Sequence, residues 1–477
     1  MLRKLRFPMM IVIAAAFAVG CGDDDDGNPT GVNNTGDEAT MRVVHASPDA
    51  PPVDVYAEGV STPLVTNLAY GETSAYLGLD AGTYNIEVRA AGAAPESTPV
   101  LETGDLVVPA GARITAVAAG LLSGLDKNAE DALRVLVYAE DFTDPGVGNS
   151  AVRIVHAGSD APSVAIDVGN DGAPELTDVA RFAESGAAGV ALPSDQALQV
   201  AIWAGSPLER VTVFTTPSAI PGELFLIATG LLSEYPREED GFSLLAVGPN
   251  GTIGFVKQNP VVFALHASPD VPPVDIYAGD AELYDNLAFG ELTSPIQVPP
   301  ASYTLSFRPN DDGPVAASAT TPTLAAGERY LAVAGGFLTA EAGQADFTLL
   351  PFGDGFDLDT DDPLVRVVHA SGDAPPVDVG TFDGSKVTAL NDFSNLAFTE
   401  ASSSAGTAVP AATLTLGVAA AGSDAAVATF DVTTVSGLRA YAVAAGALAP
   451  GAMDEAFRLL IVQTEVFPWT VAEVSPN

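Results

Sequence analysis

Cysteine is nearly missing from this chain: Cys21 is the only one. No intramolecular disulfide is therefore available, and each folded unit has to be held by packing and hydrogen bonds alone. Basic residues are scarce as well, 19 against 61 acidic ones, for a formal net charge of −42. Such a surface repels nucleic acid and anionic lipid headgroups and attracts cations, which excludes a nucleic-acid function. After the first 20 residues no apolar run is long enough to cross a bilayer as a helix, and helical periodicity is hard to find anywhere beyond Cys21. There is no H-E-x-x-H, no G-x-S-x-G elbow and no glycine-rich phosphate loop, so catalysis is not expected.

The N-terminus has the layout of an export signal. Arg3, Lys4 and Arg6 precede an apolar stretch from Phe7 to Val19 that is too short for a permanent span. It ends Ala18-Val19-Gly20-Cys21, which resembles the lipobox of bacterial lipoproteins. Residues 1–20 are thus expected to be a lipoprotein signal peptide and Cys21 the lipidated N-terminus, anchoring the chain to a membrane. Residues 21–40, with Asp23 to Asp26 and almost no apolar side chains, read as a disordered acidic tether. Gly22 after the lipid cysteine resembles lipoproteins released to the outer membrane, on its periplasmic or surface face.

The four histidines disclose the organisation. His45 opens HASPDAPPVDVY, His156 HAGSDAPSVAIDVG, His266 HASPDVPPVDIY and His369 HASGDAPPVDVG, at intervals of 111, 110 and 103 residues. A period of this size is one small domain rather than one coil of a solenoid, so each unit can bury its own core, like beads on a string. Three further landmarks recur: NLAYGE from Asn67 with its counterparts, an alanine- and glycine-rich strand (TAVAAGLL from Thr115), and a closing strand (LRVLVYAE from Leu133). Short Val-, Ile-, Leu- and Thr-rich runs between Gly, Pro, Asp and Asn are strand-and-turn patterning. In the first unit strands are expected near 41–46, 53–57, 64–69, 73–79, 83–89, 105–108, 112–120 and 133–139. The fold class is therefore all-β: four tandem immunoglobulin-like antiparallel β-sandwiches, at 41–141, 152–248, 261–353 and 364–466. Units one and three share VDVYA or VDIYA, whereas units two and four carry DVG, which gives an A-B-A-B order in which A packs against B. Turn-rich, polar joints are expected at 142–151, 249–260 and 354–363.

The recurrent polar set is His45, Ser47, Asp49 and Asp54, matched by His156, Ser159, Asp160 and Asp167, by His266, Ser268, Asp270 and Asp275, and by His369, Ser371, Asp373 and Asp378. Imidazole and carboxylates together are metal-ligand chemistry or a His-Asp base pair. Against this, Asp in an S-P-D or G-S-D turn caps backbone amides, and a histidine ending a strand satisfies loop carbonyls. The motif reads as a structural corner, stiffened by Pro51-Pro52, Pro272-Pro273 and Pro375-Pro376. Asp354, Asp357, Asp359 and Asp361 are the candidate calcium ligands, without the spacing of an EF-hand. Tyr56, Tyr277, Trp203 and Trp469 are the candidates for stacking on sugars.

The phrase RVVHASPDAPPVDVY, with the segments that follow it, resembles the bacterial family of domain of unknown function 4397, found in exported and lipid-anchored proteins. The matching stretches are Arg42 to Tyr56, Arg153 to Gly169, Phe263 to Tyr277 and Arg366 to Gly380. The resemblance implies no catalytic residue. What it supports is a non-catalytic structural or interaction module of the cell envelope, binding a surface polysaccharide, an envelope protein or its own copies. The alternative is a calcium-dependent or carbohydrate-binding accessory to secreted hydrolases.

Overall fold

The computed structural model describes residues 38–477 except 128, 221 and 310–312. The signal peptide, Cys21 and most of the tether lie outside the described residues. The described part is all-β, with two short 3-10 turns and otherwise strands. No described helix is long and apolar enough to cross a membrane.

Each repeat contributes two facing sheets: the one that holds the motif histidine, four-stranded in repeats one and three and five-stranded in repeats two and four, is termed the larger, and the four-stranded sheet facing it the smaller. Three strands recur in every larger sheet. The strand that ends at or just beyond the motif histidine (Ala39–Ala46, Asn149–His156, Val261–His266, Leu364–His369) is here named the His strand. Beside it runs the alanine strand (Arg113–Ala119, Glu223–Thr229, Arg329–Gly335, Arg439–Ala445), and beside that the closing strand (Arg134–Ala139, Ser243–Gly248, Thr348–Gly353, Arg458–Gln463). His and alanine strands are parallel in all four repeats, with His45 opposite Ala118 and His369 opposite Ala444. The sheets are thus antiparallel except at this pair. Strand positions expected in the first unit hold for Val53–Ala57 and Arg134–Ala139, whereas 83–89 breaks at Asn85 into Gly82–Tyr84 and Ile86–Ala90. The break lets the first piece pair separately with Leu106–Val108.

Alternation along the His strand sends side chains to two different cores. Met41 and Val43 face Val53, Val55, Ile86 and Val88 across the first repeat's own sandwich. Val44 and Ala46 point the other way, onto Val155, Ala157, Phe225, Ile227 and Leu245 of the second repeat. Repeats three and four are joined in the same manner, through Phe263, Leu265, Leu331, Val368, Tyr441 and Trp469. Each large buried side chain here contributes roughly 1.5–3 kcal/mol, so the repeats are fused in pairs rather than strung as independent beads.

The pairing is reciprocal. Arg42, three residues before His45, donates to the carbonyl of Gly248 at 2.6 Å, and Arg153, in the matching place of repeat two, donates to Ala139 at 2.5 Å. Both acceptors end a closing strand. Arg366 reaches the corresponding Gly353 at 3.1 Å, while repeat three substitutes Phe263, whose ring stacks on Trp469 at 4.5 Å. Repeats two and four carry a fifth strand in the larger sheet, Gly251–Lys257 and Thr470–Val474. In each pair it overlies the NLAYGE-type turn of the preceding repeat. Phe255 lies against Gly71, where an added Cβ would meet its ring at 2.6 Å, and Glu473 lies against Gly290.

The three joints are built into the structure instead of acting as loose linkers. Phe142 packs edge-on against Phe225 at 5.3 Å. Gly251–Lys257 is a strand, and the Asn259 side chain accepts from Thr215 at 2.6 Å and donates to Gln199 at 2.9 Å. Phe356 is buried in the core shared by repeats three and four. Polar composition misleads here because short loops hide their few apolar residues against a neighbour.

Phe225 is fully buried at the junction of repeats one and two. Phe225→Ala is expected to cost about 3–5 kcal/mol and to lower protection in both repeats together. Native-state hydrogen exchange checks this: opening confined to repeat two would contradict a shared core.

Candidate functional site

The recurrent corner assembles where the His strand leaves the larger sheet. All four histidines are buried, at 1 or 2% exposure. Nε2–H donates to the carbonyl six residues on, from His45 to Pro51 at 3.2 Å, His156 to Pro162 at 2.8 Å and His369 to Pro375 at 3.2 Å. The amides of Ser47 and Ser268 approach Nδ1 of their own histidines at 3.4 and 3.3 Å. Burial lowers the pKa of every one of these rings below the ordinary 6.5, which holds the imidazoles neutral.

The first aspartate has one role in all four copies. Its two oxygens accept consecutive amides of the loop that follows the alanine strand. Asp49 takes Leu122 and Ser123 at 2.7 and 2.9 Å, and Asp160 takes Leu232 and Ser233 at 2.9 and 3.0 Å. Asp270 takes Leu338 and Thr339, and Asp373 takes Leu448 and Ala449, all at 2.8 Å. The motif serine fastens the same loop, donating from Ser47 to Gly120 at 2.6 Å, from Ser268 to Gly336 at 2.5 Å and from Ser371 to Gly446 at 2.7 Å.

The NLAYGE-type turn closes the other side. Glu72 accepts from Ala69 at 2.8 Å and Gly71 donates to the His45 carbonyl at 2.8 Å, a pattern repeated by Glu291 and Gly290. Tyr70, Phe289 and Phe398 stand edge-on to their histidines at 6.3, 6.1 and 6.4 Å. The second aspartate ties in the small sheet: Asp54 accepts from Asn67 and Gly92 at 2.7 and 2.8 Å, Asp378 from Asn395 and Gly422 at the same distances, and Asp275 from Asn286 at 2.8 Å. Asn67, Asn286 and Asn395 all hold a positive φ of 51 to 55°, which asparagine tolerates.

Repeat two differs from the expected alignment. Gly158 stands in the serine position, and Ser159 is buried with its hydroxyl unpaired. Val53 and Val164 occupy one register, since they pair with Leu68 and Val179, so Ala165 matches Asp54 and Asp167 matches Tyr56. Asp167 instead caps its own hairpin at Asp171 and Gly172, 3.2 and 2.9 Å away. The step from histidine to this aspartate is two residues longer than in the other repeats, a departure the spacing itself shows, and the strand register accounts for it. Arg181 takes the place of Tyr70 and donates to Ala161 at 3.1 Å.

The calcium candidates do not converge. Asp354 is buried and faces Arg237 at 3.8 Å, and burial raises its pKa to about 6. Asp357 accepts the amide of Asp359 at 2.9 Å. The carbonyls of this loop are spent on a guanidinium: Arg439 donates to Asp357 at 3.0 Å, to Asp362 at 2.9 Å and to Thr360, while Asp361 accepts from Ser436 at 2.9 Å. Among the described residues one trio of carboxylates, Asp275, Glu282 and Asp285, offers oxygens within 4.8 Å of one another. The aromatic candidates are also engaged. Arg89 covers Tyr56 at 4.9 Å, Arg308 covers Tyr277 at 4.6 Å, Trp203 donates to Asp167 at 3.3 Å and Trp469 stacks on Phe263.

Because the four rings are held below 6.5, the unfolded chain binds more protons than the folded one as the pH drops past that value, so stability falls with acidification. Titration of the four imidazole signals by NMR is expected to give midpoints under 6.5 in every case; one at or above it would contradict the corner. Asp49→Ala, which frees two loop amides at a solvent-facing position, is expected to cost about 1–2 kcal/mol with or without chelator, as read from urea midpoints.

Comparison with known proteins places this geometry. No curated protein matches the chain. A solved structure, "The Bacillus anthracis TIE protein", aligns at 10% identity over 83% of this chain, with a TM-score of 0.13, and the chain spans 66% of the length of that one. The family described as "Domain of unknown function (DUF4397)" matches residues 39–167 and 261–380, more than half of the chain. Each match begins in the His strand of an odd repeat and runs into the corner of the next. The chain belongs to the DUF4397 family, as tandem copies of that domain.

Proposed function

We propose that this is a lipid-anchored cell-envelope protein, held through Cys21 and the 21–40 tether to the outer membrane, that works as a non-catalytic structural or interaction module. In this reading its sandwiches are four immunoglobulin-like domains, at 41–141, 152–248, 261–353 and 364–466, in A-B-A-B order. The five-stranded sheets of repeats two and four and the cores shared within each pair support that order. The partner is a surface polysaccharide, an envelope protein or another copy of the chain.

One observation carries the non-catalytic reading: the first aspartate in all four repeats, and the whole recurrent set in repeat one, spend their oxygens and ring nitrogens on their own backbone. His45 serves Pro51, Ser47 serves Gly120 and Asp49 serves two loop amides. A catalytic or metal-binding imidazole has to be reached by substrate or ion from solvent, and these rings are 1 or 2% exposed. The acidic surface adds long-range repulsion toward anionic partners, so an uncharged or cationic partner suits it best.

Two measurements test the proposal. Cys21→Ala is expected to move the protein from the membrane to the soluble fraction; unchanged membrane retention contradicts the anchor. Melting of the full chain and its His45→Ala variant in EDTA, calcium and zinc is expected to show one loss of midpoint, equal in all three. A metal-dependent gain present only with His45 intact would favour the calcium-dependent accessory role instead.

A further inference from the structure

The sandwich interiors are not equally filled. Between the two sheets of repeat four lies a cavity of about 300 Å³, against about 20 Å³ in repeat one and about 10 Å³ in repeat three. The smaller spaces are about the size that holds one water, whereas that of repeat four falls in the range of ligand sites.

The parallel register identifies the cause. Four residues before the alanine that faces each motif histidine, the alanine strands carry Ile114, Leu224, Tyr330 and, in repeat four, Ala440. Two residues before it they carry Ala116, Leu226, Ala332 and Ala442. Each of the first three repeats keeps at least one bulky side chain in this column; repeat four has two alanines. On the facing sheet Val418 stands where repeat three has Phe307, each opposite the matching valine or isoleucine of the motif strand. A void of this size, left dry, costs stability that a bound apolar group would restore.

The lining is graded from end to end. The His369 end is closed by Pro375, Ala420, Ala444 and Leu459, and the walls are Val367, Val379, Leu416 and Ala442. At the opposite end the inward polar side chains are Thr434 and Gln463; Asp431 and Thr433 point away from the slot, where Asp431 accepts from Thr415 at 2.7 Å. From Ala440 to Ala444 the space runs roughly 13 Å along the strands at the usual rise per residue. A long, narrow, apolar slot with a polar mouth takes a linear chain rather than a compact ring system. The net charge of −42 disfavours a carboxylate or phosphate head.

We infer that repeat four binds a single unbranched alkyl chain bearing an uncharged polar head, the chemistry of a fatty alcohol or monoacylglycerol, with the tail between the sheets and the head at the Thr434 and Gln463 end. The site does not depend on the anchor, and its closed end borders the corner motif at His369 and Pro375.

The test uses the full chain with the neutral fluorophore 1-N-phenylnaphthylamine. Its emission is expected to rise on binding and to be displaced by 1-monolauroylglycerol at least tenfold more effectively than by laurate. Ala440→Tyr and, separately, Val418→Phe copy the residues of repeat three into the slot; each is expected to weaken probe binding at least tenfold with an unchanged or raised melting midpoint. Absence of probe binding, or undiminished binding in either folded variant, overturns the site. Equal displacement by laurate overturns the assignment of an uncharged head.

Discussion

Burial on both faces of the parallel strand pair is the constraint from which the rest of this structure follows. The His and alanine strands are covered inside by the small sheet and outside by the neighbouring repeat. A doubly covered strand has to be apolar at consecutive positions rather than alternate ones, which accounts for runs such as Val43-Val44 and Ala116 to Ala119. It also leaves nowhere for a polar group to meet water. Arg42 therefore brings its own partners, Thr115 at 2.8 Å, Glu140 at 3.3 Å and the Gly248 carbonyl, and removing any one would leave a buried charge short of a hydrogen bond. The histidine corner solves the same problem at the strand end, where the chain must turn without exposing unpaired backbone groups.

Much of this was legible from repeated residues. The fourfold histidine phrase marks the corners, and the aspartate after the turn is a capping residue in all four. Spacing also shows the second aspartate of repeat two displaced by two residues, and the strand pairing adds that this places it in the register of Tyr56, on the same face. A strand of small apolar residues does not say which neighbour covers its outer side; Arg42, Arg153 and Arg366 were visible as a recurring letter without an assigned acceptor. Polar composition at the joints does not show how they pack, since one phenylalanine, such as Phe142 or Phe356, outweighs several polar neighbours once it finds a core. Ala440 is inconspicuous for a related reason: an alanine in an alanine-rich strand attracts notice only after alignment in space with Ile114, Leu224 and Tyr330.

Pairing also explains why the repeats diverged unequally. Repeat three has exchanged the recurrent arginine for Phe263, and the facing repeat supplies Trp469 at 4.5 Å in place of a carbonyl acceptor. An ion-and-dipole contact in one pair of repeats thus corresponds to an aromatic stack in the other. The Asp-rich loop shows a parallel economy: its carbonyls converge on the fixed guanidinium of Arg439, so the cation that organises it is part of the chain.

Parallel pairing between Ala46 and Ala119 joins residues that are far apart along the chain, and Arg42 finds Gly248 at a separation of 206 residues. Contacts of such long range slow folding, because loop closure must precede any return from the contact. A chain emerging from its N-terminus cannot complete the outer face of repeat one until the closing strand of repeat two has appeared. Until then Val44, Ala46, Val117 and Ala119 form an exposed apolar sheet, the kind of surface that associates with other copies. The order of synthesis thus sets a window of vulnerability about two repeats long, and it ends only when each odd repeat meets its even partner.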